Sequence, residues 1–302
     1  MTKTIILPFT DEAIAAAARL VLAGEPVAVP TETVYGLAAD ATNAAAVARI
    51  YEAKGRPNFN PLIVHVIDLA EAERIGDFNN QARGLADQHW PGPLTLVVPL
   101  REHSGIASLV TAGLATIGLR VPAHPAMRAL LRAVGRPLAA PSANASGSIS
   151  PTRAEHVRKS LGGRIPLIID GGATERGLES TIVAATGGKL RLLRPGPVEV
   201  DADLATGERI EAPGQLASHY APAKPLRLNV SAPDADEYLI GFGAVVGGAS
   251  LSAAGDLIEA ATRLFDLLHV ADASDKPRIA VAPVPDHGLG LAINDRLRRA
   301  AA

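Results

Sequence analysis

Apolar and polar positions along this chain switch repeatedly between helical and strand periods. Thr10 to Ala23 keeps apolar residues on one helical face. Thr10 offers an N-cap, Asp11 and Glu12 suit the positive end, and Gly24 suits the exit. Short apolar runs bounded by Gly, Pro or polar residues predict strands at 27–29, 62–66, 94–100, 116–121, 138–140, 167–169, 180–185 and 189–194. Helical spacing predicts helices at 43–53, 79–89, 125–134 and 152–161. Asn43 is placed to cap the first of these, and Thr152 with Glu155 reads as a capping box for the last. The strands 180–185 and 189–194 return on each other across Gly187-Gly188, which argues against a purely parallel sheet. The pattern predicts a mixed α/β (α+β) fold: a twisted mixed sheet flanked by helices.

The texture changes after residue 196. Pro197, Pro213, Pro222 and Pro225, with an acidic run from Glu199 to Asp203, predict an extended linker over 197–225. A smaller α/β unit follows over 226–302. Its strands are expected near 226–230, 238–242 and 279–282, and its helices near 255–269 and 290–301. That unit is near the lower size limit for an independent fold.

One stretch, Val27 to His65, concentrates candidate chemistry. A strand ends at Pro30. The loop Thr31-Glu32-Thr33-Val34-Tyr35-Gly36 follows, then the 43–53 helix, then the cationic turn Lys54-Gly55-Arg56-Pro57. A second strand carries His65. Loop hydroxyls and backbone N–H groups on one side, with Lys54 and Arg56 on the other, suit an anionic ligand. Taken singly, each residue has an ordinary reading. Thr is common in turns, Lys54 and Arg56 could offset a helix dipole, and a His between apolar neighbours usually packs. Arg120 at a strand end would ordinarily sit at the surface.

Composition narrows the classes. Hydrophobic residues make up 48% of 302, enough for a core, but aromatics are only 3%, so Ala, Val, Leu and Ile must fill it. A net charge of −2 gives no global signal for nucleic acid. With no cysteine there are no disulfides, thiolate zinc sites or Cys nucleophiles. The apolar run in MTKTIILPFT is short for a signal peptide, and no stretch approaches the roughly 20 apolar residues of a membrane span, so a cytoplasmic location is expected. Gly241-x-Gly243 with Gly247 has the wrong spacing for a dinucleotide fingerprint. No P-loop motif and no His cluster for zinc occurs, so no metal is expected on protein side chains.

Several blocks act together. PTETVYGL, KGRP and PLIVH are followed by LRVP (119–122), APSANASG (140–147), STIV (180–183), LRPG (193–196) and SHYAP (218–222). In this order they closely resemble the YrdC-like threonylcarbamoyl-AMP synthases, in their long two-domain form. The resemblance implies a YrdC-like catalytic domain over 1–196, a Pro-rich linker over the active site at 197–225, and a small Rossmann-like C-terminal domain at 226–302. It implies L-threonine contacts at Thr33, His65, Arg120, Ala140 and Thr181. It implies ATP contacts at Lys54, Arg56, Asn60, Thr116, Ser142, Asn144, Ser150, Arg194 and Tyr220, with Lys54 and Arg56 also catalytic. Gln215 to Ser218 depart from the more basic, Met-containing version of the linker in many relatives, leaving Tyr220 intact.

The residues contain no evident nucleophile with a paired base, which argues against covalent catalysis and for holding reactants together while stabilising phosphate charge. The resemblance supplies the reaction: L-threonine, bicarbonate or CO2, and ATP with Mg²⁺ give threonylcarbamoyl-AMP and pyrophosphate. The product would feed tRNA modification through a separate threonylcarbamoyl transferase complex, with a weak tRNA contact as a further implication and no membrane. A double-stranded RNA or tRNA-binding module is the alternative, and the net charge of −2 weighs against it. A hydrogenase-maturation carbamoyltransferase would need the Cys-rich fingers this chain lacks. A non-catalytic paralogue would be expected to lack some of the cleft residues.

Overall fold

The computed structural model describes residues 3–57, 60–205, 211–212 and 219–302. The chain opens with β1 (Ile5–Pro8), α1 (Asp11–Leu22), β2 (Val27–Pro30), β3 (Tyr35–Asp40), α2 (Ala44–Lys54) and β4 (Ile63–His65). It continues with α3 (Leu69–Ile75), α4 (Asn80–His89), β5 (Leu94–Pro99), α5 (Ser108–Thr111), β6 (Thr116–Arg120), α6 (Pro125–Val134) and β7 (Leu138–Ala139). Then come α7 (Ala154–Leu161), β8 (Leu167–Asp170), β9 (Thr181–Ala184), β10 (Arg191–Arg194) and β11 (Asp203–Leu204). The remainder is β12 (Leu226–Arg227), β13 (Glu237–Gly241), β14 (Ala249–Ser250), α8 (Leu257–Ala273), β15 (Arg278–Val281) and α9 (Leu289–Ala300).

The first eleven strands form one mixed sheet, ordered β1-β8-β2-β3-β7-β4-β6-β5-β9-β10-β11. The last four form a parallel sheet, β12-β15-β13-β14. Helices α1 and α6 cover one face of the large sheet through Ile14, Val21, Met127 and Leu130. Helices α2, α4 and α7 cover the other through Val47, Ile50, Ala86 and Val157. The third core packs α8 and α9 on the small sheet through Leu264, Phe265 and Ile293, and it also takes in Val34, Ile149, Leu178 and Tyr220. The two sheets therefore share apolar packing.

Local signals behave as their chemistry requires. Thr10 and Asn43 cap α1 and α2 through their side-chain oxygens. Gly55 ends α2 at φ +59, and this left-handed turn lets the Arg56 N–H bond back to the Tyr51 carbonyl at 2.9 Å. The 152–161 expectation needs correction. Helix α7 starts at Ala154 with Arg153 as its cap and no side-chain capping bond, because Thr152 engages His156 Nδ1 through both its hydroxyl and its N–H at 3.3 Å. Strand β3 escaped the periodicity because all six of its residues are buried, so nothing alternates. Part of the 197–225 linker is sheet edge: β11 runs parallel to β10. The Gln215 to Ser218 departure lies outside the described residues. No helix among the described residues is long and apolar enough to cross a membrane.

Candidate active site

The mixed sheet makes the site by register. Parallel pairing of β4 with β6 sets His65 opposite Arg120. The hairpin of β2 and β3 carries the loop Thr31 to Val34, and Arg120 reaches it through Thr33 and Glu32. A cavity enclosing about 540 Å³ of empty space, its mouth included, is lined by Thr33, Arg56, His65, Arg120, Ala140, Ser142, Arg194 and Tyr220 among others. These eight expected residues are thus brought together from seven elements or loops.

Hydrogen bonds fix the loop and its arginine. Thr31 Oγ1 donates to the Val34 carbonyl at 2.7 Å and accepts from the Thr33 and Val34 N–H groups. Thr33 Oγ1 lies 2.8 Å from it and accepts from Arg120 Nη1 at 3.0 Å. Arg120 Nε donates to the Gly92 carbonyl, and Nη2 to Glu32 Oε1 at 2.6 Å. A guanidinium has five N–H donors, so one on each Nη remains for a ligand. Burial would raise the Glu32 carboxyl, but the charge and hydrogen bond of Arg120 outweigh it and hold it below the usual range.

The other cations hold carbonyl oxygens. Buried Lys54 Nζ donates to the Ser142 and Asn144 carbonyls at 2.6 and 2.5 Å, stapling the 140–147 loop from behind. Its pKa is pushed well down by burial and then by Arg56. Arg56 donates to the Asn60 and Pro61 carbonyls, and burial lowers it to about 10. Arg194 donates to the Ser180 carbonyl and hydroxyl.

Several buried polar atoms around the cavity have no partner among the described residues. They are both amide atoms of Asn60, both ring nitrogens of His65, Asn144 Oδ1, His219 Nδ1 and the Tyr220 hydroxyl. Burial depresses His65 to about 3, helped by Arg120 and opposed by Glu32, so its imidazole is neutral. Native interiors leave few such groups unpaired, so each calls for a partner, an ordered water or a ligand. Tyr220 enters the cavity from the linker at φ +65, a conformation rare for a Tyr, and Ala221 fixes it by bonding the Gly147 carbonyl.

Some expected residues lie elsewhere. Thr116 begins β6, about 13 Å along the strand from Arg120, and does not reach this cavity. Thr181 spends its hydroxyl on the Val198 N–H and carbonyl, so its side chain is turned away. Ser150 is bonded to Glu179 at 2.5 Å. Tyr35, read with the loop hydroxyls, points instead to the Gly172 carbonyl at 2.7 Å, because Gly36 takes the cavity side of β3. Lys54, Asn60 and Asn144 stand behind the wall rather than on it.

Sequence reasoning passed over Glu32, Glu179 and Arg296. Glu32 sits between two threonines already singled out, and Glu179 immediately precedes the Ser180-Thr181 block. Nothing in the sequence marks Arg296, one of three arginines in the last turns of α9.

Comparison with known proteins accords with this geometry. The family model Sua5_yciO_yrdC, described as "Telomere recombination", matches residues 19–196. A second model, "Threonylcarbamoyl-AMP synthase, C-terminal domain", matches 178–302. The chain is 40% identical to the threonylcarbamoyl-AMP synthase of Bacillus subtilis, over 98% of this chain and 94% of that one. It is also 40% identical to that of Pyrococcus abyssi, over 94% and 93%. Its fold is similar to the crystal structure of P. abyssi Sua5 complexed with L-threonine, at a TM-score of 0.89 and 35% identity over 100% of this chain and 97% of that one. With both models matched and near-complete relatives on each side, the chain belongs to the threonylcarbamoyl-AMP synthase family.

Proposed function

We propose that this cavity condenses L-threonine, CO2 derived from bicarbonate, and ATP into threonylcarbamoyl-AMP and pyrophosphate. The observation that carries the reading is that His65, His219 and Tyr220, each with an unpartnered buried polar atom, line one cavity with Arg56, Arg120 and Arg194. The two spare N–H groups of Arg120 take the threonine carboxylate as a fork. Neutral His65, Thr33 and the small Ala140 shape the amino-acid end. Arg56 and Arg194 take triphosphate oxygens. Ser142 offers polar groups to the nucleotide, while Asn60, Asn144 and Ser150 support the wall that meets it. Lys54 fixes the 142–144 backbone from behind. Thr116 and Thr181 are assigned no contact.

The threonine amine adds to CO2, releasing a proton, and forms a carbamate. A carbamate oxygen then attacks the α-phosphorus of ATP. The new P–O bond forms as the α–β bridge breaks, and pyrophosphate leaves. Holding two reactants in line supplies roughly 7–11 kcal/mol, so no acid–base dyad is needed. Mg²⁺ would enter as part of the ATP substrate and would offset phosphate charge. No group of three His, Asp or Glu suited to a metal occurs among the described residues, and Glu32 and Glu179 are each committed to an arginine.

The division into a catalytic unit (1–196), a linker (197–225) and a C-terminal unit (226–302) belongs to this proposal, as do a cytoplasmic location and delivery of the product to a tRNA-modifying transferase. The test is mass detection of threonylcarbamoyl-AMP from purified protein. Pyrophosphate release that does not depend on threonine contradicts the proposal.

A further inference from the structure

Two buried carboxylates stand at the cavity, Glu179 on its wall and Glu32 behind it, and each has its own arginine. Glu32 is served by Arg120 from the same sheet. Glu179, on the wall, is served from α9: Arg296 Nε donates to Glu179 Oε2 at 2.9 Å. Arg296 is 0% exposed. Its Nη1 donates to the Pro195 carbonyl at 2.9 Å and to Asp295 at 2.8 Å, and Nη2 has no partner among the described residues. Its guanidinium carbon lies 5.4 Å from the centre of the Tyr220 ring, within cation–π range. Glu179 Oε1 takes the Ser150 hydroxyl. Arg194, also buried, is close enough that Glu179, Arg296 and Tyr220 all act on its charge.

Resting on the proposed reading of the site, the geometry points to Arg296 as a positioning residue for the nucleotide, supplied by the C-terminal unit. It neutralises Glu179 so that Arg194 stays turned to the triphosphate, and it props the ring of Tyr220. Without it, a buried carboxylate beside the phosphate subsite has only Arg194 to turn to, and the triphosphate meets an unpaired negative charge. The fault belongs to Glu179, so removing that charge as well should repair it. A purely structural role for Arg296 would not be repaired in this way.

The experiment compares wild type with Arg296→Met and with the double variant Arg296→Met/Glu179→Gln, using calorimetry with MgATP alone and then steady-state kinetics. Arg296→Met is expected to weaken ATP binding by about tenfold or more, the size of one displaced charge-assisted hydrogen bond. The KM for ATP should rise with it and the KM for threonine should move little. The double variant should recover most of the ATP affinity. The idea is overturned if Arg296→Met binds ATP like wild type, or if the double variant binds no more tightly than the single one. Should Arg296→Met fail to fold, Arg296→Lys carries the test. Keeping the charge but losing the fork, it should weaken ATP binding by less than about a hundredfold, and a larger loss in a folded protein would refute the role. Wild-type protein that binds ATP but yields no threonylcarbamoyl-AMP would sink the proposed function and leave these binding comparisons standing.

Discussion

Replacing Glu32 by Gln tests how the amino-acid end of the cavity is held. Glu32 and Arg120 are each 3% exposed and meet at 2.6 Å, and Glu32 Oε2 also accepts the Ala123 N–H at 3.1 Å. Glutamine keeps the shape but removes the charge, and its amide can offer an acceptor to only one of these donors. Losing half of a buried charge pair costs about 3–5 kcal/mol, and the surviving acceptor puts the expected loss near the lower end, about 3 kcal/mol. At about 2–4 °C per kcal/mol for large domains, the melting temperature at pH 7 should fall by roughly 6–12 °C. The folded carboxyl of Glu32 is held below its ordinary 4.5. Its contribution is therefore present above pH 4.5 and lost as pH falls through the depressed folded value. The gap between wild type and Glu32→Gln should close as pH drops below about 4.5. Thermal melts of both proteins from pH 7 to pH 3 measure this. A drop under about 1 °C at pH 7, or a gap that widens in acid, would refute the reasoning.

Arg120→Leu should raise the KM for threonine by about a hundredfold through loss of the carboxylate fork, while calorimetry shows ATP binding nearly unchanged. Four histidines are held neutral by burial, His65 and His219 at about 3 and the stacked pair His156 and His269 at about 4. The unfolded chain takes up those protons near 6.5, so stability should fall as pH drops from about 6.5 toward 4. Urea midpoints across that range should slope less in His269→Gln. A Cβ on Gly177 would meet the Thr262 carbonyl oxygen at 2.3 Å, at a glycine already at φ +67. Gly177→Ala should push α8 off the 173–179 loop, costing about 1–3 kcal/mol and speeding limited proteolysis between the two sheets.

The parts of the fold that were legible were those with a local cause. The caps at Thr10 and Asn43, the Gly55 turn and the amphipathic α6 all follow from neighbouring residues. Strand β1 was missed because its exposure does not alternate: two half-buried residues lie between two exposed ones at the sheet edge beside β8. The site was legible in its motif blocks, which brought eight expected residues to one cavity. The balance of charge inside it was not. Lys54 reads as a phosphate ligand by sequence, yet it holds two carbonyls. Arg120, at the end of β6, and Glu32, in the β2–β3 loop, are 88 residues apart, and only the tertiary fold brings them together. Pairings of that kind belong to topology.

The distance along the chain between Glu179 and Arg296, 117 residues, has a consequence for how the protein is born. A ribosome delivers the carboxylate well before the arginine that balances it. The contact between Glu179 and Arg296 can therefore close only after α9 has left the ribosome, which makes it one of the last long-range contacts of the fold to form.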